Sequence, residues 1–304
     1  MTYDVIVIGG GPAGLSGAVA LARSLRSVLV IDAGDPRNAR AASIHNYLTG
    51  EGLAPEAFGE AGRLEFLSYG GTILGGRVVS ASSLSSGGFS VAVDDGSTHI
   101  ARRLLLASGL RDELPDIPGL AEMWGRKVLH CPYCHGYEVR GQAIGVIGVS
   151  PMVIHMALLW RQLTPDLVVF RHTAPKFEPE VDAQLAARGI RVVEGKVSST
   201  DESGLVVDGT RFQRDALAVQ TRMLARGDLA GLTPVEHPMG IGTYIPPMDP
   251  SGRSSVPGVW VAGNVADPAA QLVSSAAAGM MVGAGINMDL ILEETKVAVE
   301  GQAV

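Results

Sequence analysis

The chain has 304 residues, 39 of them glycine, only two cysteines, and a formal net charge of −7. That length suggests two domains of ~100–200 residues each. The cysteine count excludes a disulfide-stapled scaffold, and the acidic balance with scattered arginines argues against nucleic-acid binding.

In chain order, Tyr3–Gly9 is a β-branched run, uncharged after Asp4, typical of a strand buried on both faces. A glycine turn and an Ala/Leu-rich helical stretch, Gly14–Arg26, follow, and Val28–Ile31 is a second buried strand. Together these form a βαβ unit. Phe89–Val93 and Ile100–Ala107 flank Asp95-Gly96, a hairpin signal. Asp116–Gly119, among prolines, marks a crossing between domains. A second βαβ pattern opens at Ala143–Gly148, with a helix from Pro151 to about Leu163 and a strand at Leu167–Phe170. Glu178–Arg188 reads as a helix, and Ile190–Val193 and Leu217–Gln220 as strands. Pro246–Gly258 is a loop, and Val259–Ala262 is a last strand before a small-residue helix. The uncharged stretch Pro268–Met288 has the length to span a bilayer. Its Ala, Gly, Ser, Gln and Asn content instead suits a helix buried in a core, so no membrane role is expected. The start Met1-Thr2-Tyr3-Asp4 lacks a cationic leader, and a cytoplasmic protein with reduced thiols is expected.

Gly9-Gly10-Gly11-Pro12-Ala13-Gly14 reads G-x-G-x-x-G between a strand and a helix. Gly9 permits the tight turn, Gly11 the approach of a pyrophosphate, and Gly14 close packing of helix on strand. The helix start offers N–H groups and a positive dipole end to the phosphates. Asp32, followed by Ala33, ends the second strand and can accept hydrogen bonds from an adenosine ribose. A dinucleotide site follows.

Gly258–Asn264, ahead of the small-residue helix, resembles the second FAD signature of flavoproteins with two dinucleotide folds. Gly263-Asn264 forms its turn, although the usual residue at the second position is Asp. The resemblance implies that the helix start at Ala270, Gln271 and Leu272 faces the flavin. There its dipole would stabilise the anionic reduced ring. Ala107-Ser108-Gly109 resembles the Ala-Thr-Gly element of the same flavoproteins. FAD is therefore the expected cofactor.

Cys131-Pro132-Tyr133-Cys134-His135 sits before the second βαβ unit. Three chemistries compete for it. C-x-x-C-H is formally a haem-attachment signature, but nothing else in the chain suits an exported haem protein. His130, Cys131, Cys134 and His135 include four zinc-ligand types, but two adjacent His–Cys pairs wrap one ion poorly, and no metal is expected. A redox-active dithiol is the favoured reading, since C-x-x-C brings two sulfurs within bonding reach.

With the FAD signatures and the inserted βαβ domain, the chain resembles the low-molecular-weight thioredoxin reductases over nearly its whole length. The Cys131-Pro-Tyr-Cys134-His135-Gly136 run is similar to the gliotoxin- and holomycin-type dithiol oxidases, a branch of that family. The resemblance implies an α/β fold with two Rossmann-like domains, one inserted in the other. The expected boundaries are 1–113 plus 235–304 for the FAD domain and 114–234 for the domain carrying C-x-x-C. It further implies that Cys134 lies on the flavin side, that Cys131 meets the substrate, that Asn46 touches the flavin, and that the chain is a homodimer. The reductases usually carry Asp where His135 stands, so His135 is the candidate base, with His130 second. His45 reads first as a loop histidine, and Glu138 as a solvated carboxylate before an orienting one.

The family pattern for NADPH is G-x-G-x-x-A followed by an arginine cluster. Here Gly148-Val149-Ser150-Pro151-Met152-Val153 stands in its place, and only Arg171 of the cluster is present. Ser150 replaces the glycine that faces pyrophosphate, and Pro151 lacks an N–H. This argues against NADPH. The expectation is an FAD-dependent oxidase of a small-molecule or peptide dithiol, with O2 as acceptor. A disulfide reductase acting on thioredoxin and fed by NADPH or ferredoxin stays open, as does a flavin redox sensor without turnover.

Overall fold

The computed structural model describes residues 2–226 and 228–302; the outermost residues of the expected first domain, 1 and 303–304, lie outside them. The chain forms two compact units, residues 1–39, 56–111 and 223–304 in one and 40–55 with 112–222 in the other. Compared with the boundaries expected from sequence, 40–55 and 112–113 group with the second unit and 223–234 with the first.

The first unit opens with β1 (Thr2–Ile8), α1 (Pro12–Arg23) and β2 (Val28–Asp32). It continues through α2 (Pro55–Ser68), β3 (Thr72–Gly75), β4 (Val78–Ser83), β5 (Phe89–Val93) and β6 (Thr98–Leu106). The sheet order is β3-β2-β1-β6-β5-β4. β1 runs parallel to both neighbours, with Val5 opposite Val28 and Arg103. β5 and β6 form the expected antiparallel hairpin. Successive side chains of a strand point to opposite faces, and both faces of β1 are covered. Val5 and Val7 pack with α1 and with Val282, Ile286 and Leu290, while Ile6 and Ile8 join Leu29, Ile31, Leu104 and Leu106. This is why the run carries no charge between Asp4 and the glycines.

The chain leaves this unit within β7 (Leu110–Glu113). The second unit holds β8 (Val128–Leu129), α3 (Pro132–His135), β9 (Ile144–Ile147), α4 (Val153–Arg161) and β10 (Leu167–Phe170). α5 (Pro179–Ala187), β11 (Arg191–Val193) and a three-stranded antiparallel ribbon, β12 (Val197–Asp201), β13 (Gly204–Val207) and β14 (Thr210–Gln213), follow before β15 (Ala216–Val219). Its parallel sheet has the order β11-β10-β9-β15-β8. One face packs on Trp160 and Leu185 of the helices, the other on Val197, Leu205 and Val207 of the ribbon.

The chain returns to the first unit through β16 (Arg222–Ala225), β17 (Val235–Glu236), β18 (Gly242–Tyr244) and β19 (Val259–Val261). β19 lies parallel beside the end of β6. α6 (Leu272–Gln302) completes the unit. Its small residues have a structural use: a Cβ at Gly279 would come 2.7 Å from the Ala13 carbonyl carbon, and one at Gly283 would press on the Gly17 carbonyl oxygen at 2.6 Å. α6 therefore lies against α1 at a distance only glycine permits. It runs fourteen residues beyond the expected end at 288. By length and composition it is apolar enough to cross a membrane, and Met288, Ile291, Leu292, Val297 and Val299 are exposed.

Candidate functional site

In the first unit the three glycines of the motif have distinct surroundings. Gly9 has φ +107°, and a Cβ there would lie 2.8 Å from the Ala107 carbonyl carbon at the end of β6. A Cβ on Gly14 would overlap the Gly9 carbonyl. Gly11 has φ −77° and faces open space, with nothing within 4 Å of an added Cβ. The first ladder bond of α1 runs from Leu15 N–H to Gly11 O at 2.9 Å. The amides of Ala13 and Gly14 therefore precede the ladder and point out of the helix end, while Pro12 has no N–H to leave unsatisfied. Asp32 accepts a 3.0 Å hydrogen bond from Gly10 N–H through one oxygen, which fixes its carboxylate at the end of β2 beside Ala33.

The later segments gather on the same helix start. Gly263 has φ +74°, and a Cβ there would lie 2.8 Å from the Ala13 Cβ. Asn264 donates from Nδ2 to the carbonyls of Asp267 (3.2 Å), Pro268 (3.3 Å) and Ala270 (2.8 Å). It thus shapes the turn before α6, and the amide replaces the usual Asp with a structural role. α6 begins at Leu272, and its first ladder bond joins Ser275 N–H to Gln271 O at 2.8 Å. Ser108 Oγ donates to Arg226 O at 2.5 Å, and Gly109, at φ +71°, accepts from Arg226 N–H. Arg226 pairs in turn with Asp35 at 2.8 Å. Beside them lies a cavity of about 670 Å³ lined by Asp35, Arg77, Arg111, Arg226 and Thr243. Open space over Gly11, unladdered amides behind it and a fixed acid on β2 fit a dinucleotide. The Gly9–Gly14 turn, Asp32, the Ala107–Gly109 segment and the α6 start are the residues that would hold FAD.

In the second unit Cys131 caps α3, and the amides of Cys134 and His135 both donate to Cys131 O at 3.2 Å. Both cysteines are half-buried. A Cβ on Gly136 would overlap both the Pro132 carbonyl and Leu163, so the residue after His135 has to be glycine. His130 lies with Nδ1 3.3 Å from Val219 O, a structural contact at the end of β15. Asn46 adopts φ +58°, an uncommon conformation that Asn tolerates. Its Nδ2 donates to Tyr133 O on α3, and its N–H donates to Glu51 Oε2 at 3.1 Å. The structure thus puts the Asn46 side chain on the C-x-x-C helix.

Two groups read from the sequence as bland also converge here. His45 Nδ1 lies 2.5 Å from Glu51 Oε1, and its Nε2 lies 3.6 Å from Glu138 Oε1. Burial first, and then His45, lower the pKa of His135 below the ordinary histidine value, while Glu138 pulls the other way. A neutral imidazole, the form able to take a proton, is thus favoured beside Cys134. No sequence signal pointed to Glu51, because the segment that carries it has no periodic pattern.

The second glycine turn is closed on itself. Ser150 Oγ donates to Gln220 Oε1 at 2.6 Å and accepts from Met152 N–H at 3.2 Å. Val153 N–H donates to Ser150 O at 3.2 Å, and Pro151 has no N–H. α4 consequently starts only at Val153, two residues later than expected. Arg171 is paired with Glu194, and His172 Nδ1 accepts Val197 N–H at 3.1 Å. Among the described residues, no group of three or more His, Cys, Asp or Glu side chains is placed to hold a metal ion.

Residues 3–281 match the profile of the pyridine nucleotide-disulphide oxidoreductases. The chain belongs to that family. It is 32 % identical over 277 residues to thioredoxin reductase tcpT of Claviceps purpurea, covering 86 % of each chain. It is 30 % identical to thioredoxin reductase sirT of Leptosphaeria maculans, covering 95 % of this chain and 94 % of that one. Among solved structures, HlmI superposes with a TM-score of 0.92 at 39 % identity over 99 % of this chain and 96 % of that one. An oxidoreductase from Agrobacterium tumefaciens does so with 0.91 at 36 % over 96 % and 99 %. The chain is an FAD-dependent oxidoreductase with the two-domain fold of thioredoxin reductase-type flavoproteins, as its motifs led us to expect.

Proposed function

We propose that the chain is an FAD-dependent dithiol oxidase, converting a small-molecule or peptide dithiol to its disulfide. The carrying observation is the second glycine turn, whose Met152 and Val153 amides are bonded back to Ser150 and whose Pro151 has no N–H to offer a pyridine nucleotide. On this reading electrons enter at the C-x-x-C. His135 takes the proton of one substrate thiol, and the resulting thiolate attacks Cys131 Sγ. The Cys131–Cys134 bond breaks, and its electron pair leaves on Cys134. The second substrate thiol, deprotonated in turn, attacks the sulfur bonded to Cys131. This forms the product disulfide and releases the Cys131 thiolate. FAD, held by the Gly9–Gly14 turn, Asp32 and the start of α6, would supply the two-electron acceptor for the enzyme dithiol and the route by which that pair, with two protons, reaches O2 as hydrogen peroxide. The balance is one dithiol and one O2 to one disulfide and one H2O2.

The names of the relatives favour a second reading, an NADPH- or ferredoxin-fed reductase of thioredoxin. Anaerobic addition of NADPH to the yellow protein, followed at the flavin absorbance, separates the two. Bleaching by a dithiol but not by NADPH, with peroxide formed on admitting air, is expected; rapid bleaching by NADPH overturns the oxidase reading. Failure to turn over any dithiol or thioredoxin favours a redox sensor. We further propose a cytoplasmic homodimer, which the low cysteine count and the exposed apolar residues of α6 support; sedimentation gives the stoichiometry.

A further inference from the structure

His135 has a proton to take, and the surroundings decide whether it is free to take one. The groups acting on its charge are His45 from the loop 44–51 and Glu138 from beyond α3. Cys131 and Cys134 lie on its own helical turn, with Tyr133 and Tyr137 beside them in sequence, and His130 precedes the turn. His45 is held from both sides: Glu51 is 2.5 Å from Nδ1 and Glu138 is 3.6 Å from Nε2, and the ring is only 17 % exposed. The arrangement is anchored, because Glu51 also accepts the Asn46 N–H while Asn46 Nδ2 donates to Tyr133 O. Two neighbouring residues of one loop thus tie it to the C-x-x-C segment.

We propose that His45, bridged between the carboxylates of Glu51 and Glu138, is a positioning residue that acts on His135 through Glu138. The Glu138 carboxylate favours a proton on His135, against burial and His45, and a protonated imidazole cannot accept the thiol proton. His45 draws that carboxylate to itself, and any proton it carries between Glu51 and Glu138 opposes a second one on His135. Burial disfavours a proton on His135 first, and the held His45 adds to it, where a thiol has to be activated. The reaction served rests on the oxidase reading, whereas the coupling of His45, Glu138 and His135 does not.

The test uses the FAD-loaded protein and the variants His45→Gln and Glu138→Gln, with His45→Lys returning a cation. The His135 imidazole is titrated by NMR on 15N-histidine-labelled protein, assigned with His135→Asn, and the acid limb of kcat/KM for dithiol-driven flavin bleaching is recorded alongside. His45→Gln raises the proton affinity of His135 roughly threefold and moves the acid limb up with it; Glu138→Gln, at a half-exposed position, moves both down. His45→Lys brings both back toward the parent protein. An unchanged His135 titration in the two glutamine variants overturns the proposal. Wild-type flavin that no dithiol bleaches overturns the oxidase reading instead, and the NMR titration still decides the coupling.

Discussion

Replacing Gly11 by alanine tests whether the first glycine turn is shaped for a ligand or only for the fold. The backbone there, at φ −77° and ψ −176°, is one alanine adopts without strain, and the new methyl meets nothing within 4 Å. Removing a glycine from the unfolded chain stabilises by about 0.4–1 kcal/mol. Alanine is a poorer N-cap than glycine, which costs up to about 1 kcal/mol. The two nearly cancel, so the FAD-free protein should melt within about 2 °C of the parent. The methyl does, however, stand where a pyrophosphate has to approach the amides of Ala13 and Gly14. Hydrogen bonds to charged groups contribute about 1.5–3 kcal/mol each, so weakening one lowers FAD affinity by about 10- to 100-fold. The assay is FAD titration of the stripped protein by fluorescence quenching, beside its melting curve without FAD. Parent-like FAD affinity, or a melting point more than about 5 °C lower, would refute the reasoning. Gly9→Ala is the contrasting control. Positive φ and a Cβ 2.8 Å from the Ala107 carbonyl carbon both oppose it, and about 3 kcal/mol of destabilisation is expected before any ligand is added.

Cys131→Ser should retain FAD and lose dithiol-driven bleaching, since the substrate thiolate has no sulfur to attack; retained activity removes Cys131 from the interchange role. Arg171→Ala should leave dithiol turnover within about twofold of the parent, because that guanidinium is engaged with Glu194. Arg102 binds Asp4, Glu293 and Glu294; Arg26 first, and then Arg102, hold the Glu294 carboxyl at about 2, below its ordinary value. A lowered carboxyl contributes stability above its unfolded pKa and loses it as pH falls through the folded one. Arg102→Ala should therefore cost about 1 kcal/mol at pH 7 after solvent screening, and denaturant titrations should find the gap closing between pH 4.5 and 2.

Much of this was legible in the sequence because burial on both faces leaves a strong mark. Val5–Ile8 of β1, Val28–Ile31 of β2, and β9, β10 and β19 are uncharged apolar runs whose residues lie inside, and the Asp95-Gly96 turn fixed the β5–β6 hairpin. α2 escaped because only Phe66 of its fourteen residues is buried, leaving no apolar stripe to read. β4 has no fully buried residue, and the alternation that marks a strand fails there. The glycine and cysteine motifs were readable since each chemistry requires a fixed local spacing. The charge cluster at His45, Glu51 and Glu138 was not, because its members come from distant parts of the chain and meet only through the folded second unit.

That last arrangement bears on how the second unit can be exchanged between related proteins. Residues 40–55 precede it by more than fifty positions, yet belong to it. A chimera transplanting only 112–222 would carry both cysteines and His135 but leave His45, Asn46 and Glu51 with the recipient. The graft would inherit its nucleophiles from one parent and their electrostatic setting from the other. The functional cassette has two pieces, and the smaller is interleaved with the coding sequence of the FAD-binding fold.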